Sequence, residues 1–301
     1  RKAGVRFTGR GDDDYPKLLQ EIYDPPLGFY SKGKASLGKR SIAIIGSRRA
    51  TLYGVSMAKR LARELASLGF CITSGLARGI DTAAHEGALE AGGTTAAILG
   101  CGVDIVYPPE NQALYDRVVE SGRVISEFKL GRRADRQTFP MRNRIISGMS
   151  EATIVIESDV KGGSMITARL AGEQGRLVFA VPGRVDQSSS RGCHQLIRDG
   201  AILLRSVDDL LEELQYGAQL NLGLEGKKGQ ETNSGNAPQA IDLSEDETRV
   251  LGALSAEGTL SMDTLASITG LPTSTIAGTL LLLELKKLLV KRADGTFEIR
   301  L

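Results

Sequence analysis

The stretch SIAIIGSRR, Ser41–Arg49, decides the fold. Ser41–Ile45 is a continuous apolar run without polar alternation, and it stops at Gly46. A short run of this kind, rich in β-branched residues and bounded by glycine, is a strand buried on both faces. A helical window, 52–68, follows directly, with Leu61, Leu65 and Leu68 at the i, i+4, i+7 spacing of a core-facing stripe. The same couplet recurs downstream. Phe70–Thr73, Thr94–Leu99, Arg123–Glu127, Thr153–Glu157, Leu177–Val181 and Ala201–Leu204 read as buried strands. Windows 80–91, 110–120, 140–149, 164–174, 191–199 and 207–215 read as the helices between them. Strict alternation predicts an α/β domain: an open, doubly wound, mostly parallel sheet with right-handed crossovers.

Outward from this domain, 41–215, the pattern changes on both sides. Residues 1–40 are polar and turn-rich, with Tyr15-Pro16 and Asp24-Pro25-Pro26. Proline fixes φ and pushes its predecessor towards extended geometry, so this segment reads as an irregular lead-in, the tail of a missing or truncated N-terminal domain. Residues 216–243 are dominated by Gly, Asn, Gln and Lys and read as a flexible linker. Residues 244–301 then give three helical windows, 244–256, 261–268 and 273–287. Two short runs, Leu288–Lys291 and Thr296–Arg300, flank the turn signal Asp294-Gly295. Three helices and a hairpin predict a small winged-helix domain.

Composition narrows the classes. A hydrophobic fraction of 41% supports an ordinary globular core, whereas aromatics make up 5% and Trp is absent, which disfavours a broad stacking surface. Net charge is +2, so any basic surface must come from clustering. Cys71, Cys101 and Cys193 are scattered without metal-ligand spacing, the usage of reduced thiols in a cytoplasmic protein. No metal and no cofactor is expected. No apolar run has membrane-spanning length, and the sequence, which starts on Arg1, leads to the expectation of no signal peptide.

In an open α/β sheet ligands bind beyond the carboxyl ends of the strands. Three such positions carry glycine, a small hydroxyl and a cation: Gly46-Ser47-Arg48-Arg49, Ser74-Gly75-Leu76-Ala77-Arg78-Gly79-Ile80-Asp81, and Lys161-Gly162-Gly163-Ser164-Met165-Ile166-Thr167. Each opens a helix, and helix N-termini offer unpaired N–H groups to phosphate oxygens. One loop alone is as readily a tight turn as a phosphate site. Three along one edge suit a polymer better than a mononucleotide. The stretch Lys129–Arg144 adds six basic residues (Lys129, Arg132, Arg133, Arg136, Arg142, Arg144) against one acid, Asp135. Within it Phe139 either staples a helix start to the core or stacks on an unpaired base.

Catalytic motifs are missing: there is no GxxxxGK[ST], no GxGxxG after the first strand and no GxSxG. His85 reads as structural, and His194 beside Cys193 is not placed face to face with it. Asp81 reads as a helix cap or first-turn acid. Asp104 and Glu157 read as lone acids.

These motifs, with Phe139-Pro140-Met141-Arg142-Asn143-Arg144-Ile145-Ile146-Ser147-Gly148-Met149-Ser150, Gly163-Ser164-Met165-Ile166-Thr167-Ala168 and Ala180-Val181-Pro182-Gly183-Arg184, resemble the DprA/Smf family over residues 14–214. The resemblance implies an extended Rossmann-like domain that binds single-stranded DNA, protects incoming DNA in natural transformation and loads the recombinase RecA, without enzymatic turnover, in a homodimer. Carried over, the DNA contacts are Ser47, Arg48, Arg49, Ser74, Gly75, Arg78, Phe139, Arg142, Asn143, Arg144, Lys161, Gly163 and Ser164. Leu196, Ile197 and Leu203 are the implied dimer contacts. Two departures stand in the third loop, Gly162 for the usual Ser and Met165 for the usual Leu. The presumptive recognition helix, Thr273–Leu283, lacks the Arg, Lys, Asn or Gln that read base edges. A phosphoribohydrolase of the lysine-decarboxylase-like type is the competing enzyme reading, but the loop lacks its leading Pro and the nearest downstream acid, Glu173, lies too far along. A duplex regulator acting through the winged helix is a third.

Overall fold

The computed structural model describes residues 4–33, 35, 40–224, 245–285, 289–292 and 296–299. The chain divides into two compact units, Arg1–Gly226 and Lys227–Leu301.

In the first unit every expected strand forms, with ends shifted by a residue at most. The strands are β3 (Ser41–Gly46), β4 (Cys71–Ser74), β5 (Thr95–Ile98), β6 (Arg123–Ser126), β7 (Ala152–Ile156), β8 (Leu177–Ala180) and β9 (Ile202–Leu203), preceded by β1 (Arg6–Gly9) and β2 (Gly28–Lys32). The helices are α1 (Lys17–Gln20), α2 (Leu52–Ser67), α3 (Ile80–Glu90), α4 (Gln112–Ser121), α5 (Thr138–Gly148), α6 (Gly163–Glu173), α7 (Arg191–Arg198) and α8 (Val207–Leu224). The sheet has the order β1-β2-β6-β5-β4-β3-β7-β8-β9. All pairings from β6 to β9 are parallel, and β1 and β2 close one end antiparallel. The mostly parallel, doubly wound reading therefore holds.

The central strand shows why an unbroken apolar run was needed. Successive side chains of a strand point to opposite faces. Ile42 and Ile44 join a core with Leu61, Leu65 and Ile80 from α2 and α3. Ala43 and Ile45 join the opposite core, with Ile145 and Ile146 of α5 and Cys193 of α7. Both faces are covered, so both parities must be apolar.

Two expectations are corrected. The lead-in is not irregular. Its β1 and β2 extend the sheet, and Phe29 is fully buried beside the Tyr15 ring, 5.6 Å between centroids. Tyr15 donates to the carbonyl of Pro26 at 2.7 Å, and burial pushes its pKa up to about 12. Short strands carrying Gly, Lys and Thr give little local signal, so tertiary burial decides here. The helix that begins at Val207 runs to Leu224, past the expected end at 215. Val207 and Leu210 anchor it in the core, and the helix continues through Gly217 and Gly223, whose composition suggested a linker. The rest of that linker, 225–243, lies outside the described residues.

The second unit comprises α9 (Glu245–Glu257), α10 (Met262–Thr269), α11 (Thr273–Leu285), β10 (Leu289–Lys291) and β11 (Phe297–Ile299). Ser261 caps α10 by accepting from Thr264 N–H at 3.3 Å. Gly270, at φ 71°, ends that helix in the left-handed region, where L-residues pay a steric cost. Val250, Leu254, Leu265, Ile276, Leu280 and Leu283 form its core with Phe297. β10 and β11 pair antiparallel, and Leu260 bridges to Phe297, which gives the wing. The turn Asp294-Gly295 lies outside the described residues.

His85 is wholly buried in α3 with Nδ1 2.7 Å from Thr95 Oγ1, whose own proton goes to the Ile72 carbonyl. Burial, aided by the positive charge of Arg142, holds its pKa down to about 3, against 6.5 for a free imidazole. A base with a depressed folded pKa stabilises the fold above its unfolded pKa and loses that contribution as pH falls towards the folded value. The stability advantage of the wild type over His85→Gln, measured by urea unfolding, should be greatest above pH 6.5 and narrow steadily towards pH 3.

Candidate nucleic-acid interface

The three glycine-and-cation loops follow β4, β3 and β7, which are consecutive neighbours running in one direction. Their loops therefore emerge along one rim. The strand order reverses between β3 and β7, the switch point at which open α/β sheets leave a crevice.

A groove runs along this rim. It is lined by Ser47, Arg48 and Arg49, by Arg136, Phe139, Arg142 and Asn143 around α5, and by Ser158, Gly163 and Ser164 at the start of α6. A smaller cleft adjoins it. Both are bordered by Arg48, Ala77, Tyr107, Phe139 and Arg142, and the second adds Gly75 and Arg78. Phe139 stands at the join. Its ring lies 5.5 Å from that of Tyr107, and the Arg48 guanidinium sits over it at 5.0 Å. Phe139 is half-buried and lines both clefts.

Not every predicted contact faces outward. Arg142 is buried at 4% exposure. Its Nη1 donates to the Gly75 carbonyl at 2.7 Å and also to that of Ile98, so it ties α5 to the ends of β4 and β5. A Cβ on residue 75 would collide with that nitrogen, which explains the glycine. Burial pulls the Arg142 pKa down to about 10, and the charge of Asp81 opposes that fall. Asp81, in the first turn of α3, accepts from the N–H groups of Gly75 at 3.1 Å and Ala77 at 3.3 Å. Burial raises its pKa, against the pull of Arg142 and of those two N–H groups. Ser74 is fully buried and donates to the Ile44 carbonyl at 2.6 Å. Arg144 pairs with Glu127 at 2.7 Å and Asp24 at 3.2 Å, and its side chain is only 13% exposed. Ser74, Arg142 and Arg144 thus each make contacts within the fold, while Arg142 also lines both clefts and its Nε has no partner among the described residues.

Of the other expected contacts, Ser47, Arg48, Arg49, Phe139, Asn143, Gly163 and Ser164 line the groove, and Gly75 and Arg78 line the smaller cleft. Arg48 and Arg49 are exposed. Arg49, Arg136 and Lys161 carry no ion pair among the described residues, whereas Arg78 pairs with Glu110 at the rim. Gly162, the N-cap of α6, supplies no side-chain hydrogen bond, Met165 N–H donates to its carbonyl at 3.1 Å, and Gly162, Gly163 and Ser164 line the groove. Lys161 borders a separate cleft with Met165, Ile166, Leu196 and Ile202. Ile197 packs against the core, and Leu203, 41% exposed, lies on the terminal strand of the sheet. Sequence reasoning missed Tyr107 as a groove wall. In a chain so poor in aromatics, Tyr107-Pro108-Pro109 was the available signal.

Among the described residues no group of acids, histidines and cysteines could hold a metal ion, and no helix is long and apolar enough to cross a membrane. Arg142→Met should lower the unfolding free energy by about 3 kcal/mol or more, measured in urea, because two carbonyls lose a donor and Asp81 loses its compensating charge.

Comparison with known proteins places the chain in a family. Residues 6–215 match the family model for DNA recombination-mediator protein A, and 234–295 match the DprA winged helix domain. Protein Smf of Synechocystis is 38% identical over 232 residues, 75% of this chain, which spans 58% of that relative's length. The crystal structure of DNA processing protein A from Streptococcus pneumoniae superposes with a TM-score of 0.67 at 41% identity, covering 70% of this chain and 75% of that one. DNA processing protein A from Helicobacter pylori, whose structure addresses a single-stranded DNA binding mode, gives 0.63 at 31% identity, covering 70% and 97%. An α/β unit and a wing that each match their own DprA model place this chain in the DprA/Smf family of DNA-processing proteins.

Proposed function

We propose that the first unit binds single-stranded DNA along the rim groove. The observation that carries this reading is the row of loops after β4, β3 and β7 with outward cations and a helix start without a side-chain cap. Phosphates bind Ser47, Arg48, Arg49, Arg78, Asn143, Lys161, Gly163 and Ser164, while an unpaired base meets the edge of Phe139. Gly75, the buried Ser74 and Arg142, and the partly buried Arg144 hold these groups in place.

The protein acts without turnover. Asp81 and Glu157, acids beside the groove, are engaged in holding loops by backbone N–H groups. Family membership supports a cytoplasmic role in DNA uptake, natural transformation and recombination, with RecA as the partner loaded onto the strand. A homodimer is supported by the apolar cleft of Met165, Ile166, Leu196 and Ile202 at the β9 edge of the sheet, with Leu203 of the same strand exposed.

Arg48→Ala with Arg49→Ala should weaken binding to oligothymidine by at least about tenfold, since a hydrogen bond to a charged group is worth roughly 1.5–3 kcal/mol. The slope of log K against log salt should flatten by about 0.7 for each phosphate no longer neutralised. Fluorescence anisotropy over a salt series measures both. Unchanged affinity and slope would remove the groove from the account.

A further inference from the structure

Beside the switch point between β3 and β7, a buried acid of the protein reaches over to the N-terminus of α2. Glu157, the residue after β7, is buried at 4% exposure and has φ 51°. A non-glycine residue in the left-handed region costs free energy and persists only where its surroundings enforce it. The carboxylate explains the enforcement. Its Oε2 accepts the backbone N–H of Thr51 at 2.8 Å, and its Oε1 accepts the Thr51 hydroxyl. Thr51 is the N-cap of α2, and its Oγ1 accepts from Gly54 N–H at 3.3 Å. A Cβ on residue 54 would lie 2.5 Å from Glu157 Oε2, so the glycine makes room for the acid. The carboxylate thus sits at the positive end of α2, where the helix dipole compensates its charge.

The loop between these points carries Arg48 and Arg49. At its other end the Ser47 carbonyl accepts from Ile80 N–H at 3.1 Å, and Ser47 Oγ accepts from Arg49 N–H at 3.0 Å. The loop is therefore tethered at Ser47 by α3 and at Thr51 by Glu157. A segment fixed at both ends loses little conformational freedom when it meets a ligand.

We infer that Glu157 is a positioning residue: by clamping Thr51 across the switch crevice it sets the Ser47–Arg49 loop for phosphate contact. The inference rests on the reading of the groove as the single-strand site. It makes Glu157 necessary for DNA affinity although a buried carboxylate beside a polyanion repels it.

A double-mutant cycle tests this with Glu157→Ala, Arg48→Ala/Arg49→Ala and their combination, read by oligothymidine affinity and by urea unfolding of each protein. Glu157→Ala should weaken binding about tenfold alone and scarcely at all in the Arg48→Ala/Arg49→Ala background, because the loop it positions no longer carries the cations that grip phosphate. Thr51→Val, which removes the hydroxyl tether and keeps the N–H, should give a smaller loss with the same non-additivity. It decides the question if Glu157→Ala does not fold. Wild-type affinity in both tether variants, or an equal fold-loss in both backgrounds, overturns the inference while leaving the groove intact. If Arg48→Ala/Arg49→Ala itself binds normally, the groove reading fails and the inference falls with it.

Discussion

The buried guanidinium of Arg142 is the contact on which the binding edge depends. It reaches from α5 to carbonyls at the ends of β4 and β5 and occupies the space a side chain at residue 75 would need. Asp81 lies on the other side of the same loop and takes its N–H groups. One charge holds carbonyls and the other holds N–H groups, and each is tolerable in the interior because the other is near. The Ser74–Arg78 loop and the start of α5, with Phe139, are thereby fixed relative to each other before any ligand arrives.

The fold divides its cations between two tasks. Arg142 and Arg144 are drawn inward, where carbonyls or carboxylates accept from them. Arg48, Arg49, Arg136 and Lys161 stay exposed at the surface. A chain with a net charge of only +2 can in this way present a basic rim without being basic overall. The two helices at the switch point are treated oppositely. The N-terminus of α2 is filled by Thr51 and Glu157, whereas that of α6 has no side-chain cap.

The parallel sheet and its helices were legible in the sequence because burial on both faces forces unbroken apolar runs, as in Ser41–Ile45. The edge strands of the lead-in were not, since Phe29 is buried by a tertiary contact with Tyr15 that no local period announces. The three loops could be read as a set because their strands alternate regularly with helices. The direction of each side chain could not. Arg142 and Arg144 lie two apart on one short helix, within a run of cations that looks uniformly outward in one dimension. Burial and pairing are decided by partners as remote as Gly75, Glu127 and Asp24. Glu157 looked unpartnered for the same reason, its tether being Thr51 across the crevice.

The most direct test of this account is ultraviolet crosslinking of oligothymidine to the full chain, with the adducts located by mass spectrometry. Adducts concentrated at Ser47–Arg49, at Phe139 and Asn143, and at 161–164 are the predicted result. Adducts confined to the winged-helix unit, or to the β1–β2 end of the sheet, would contradict it.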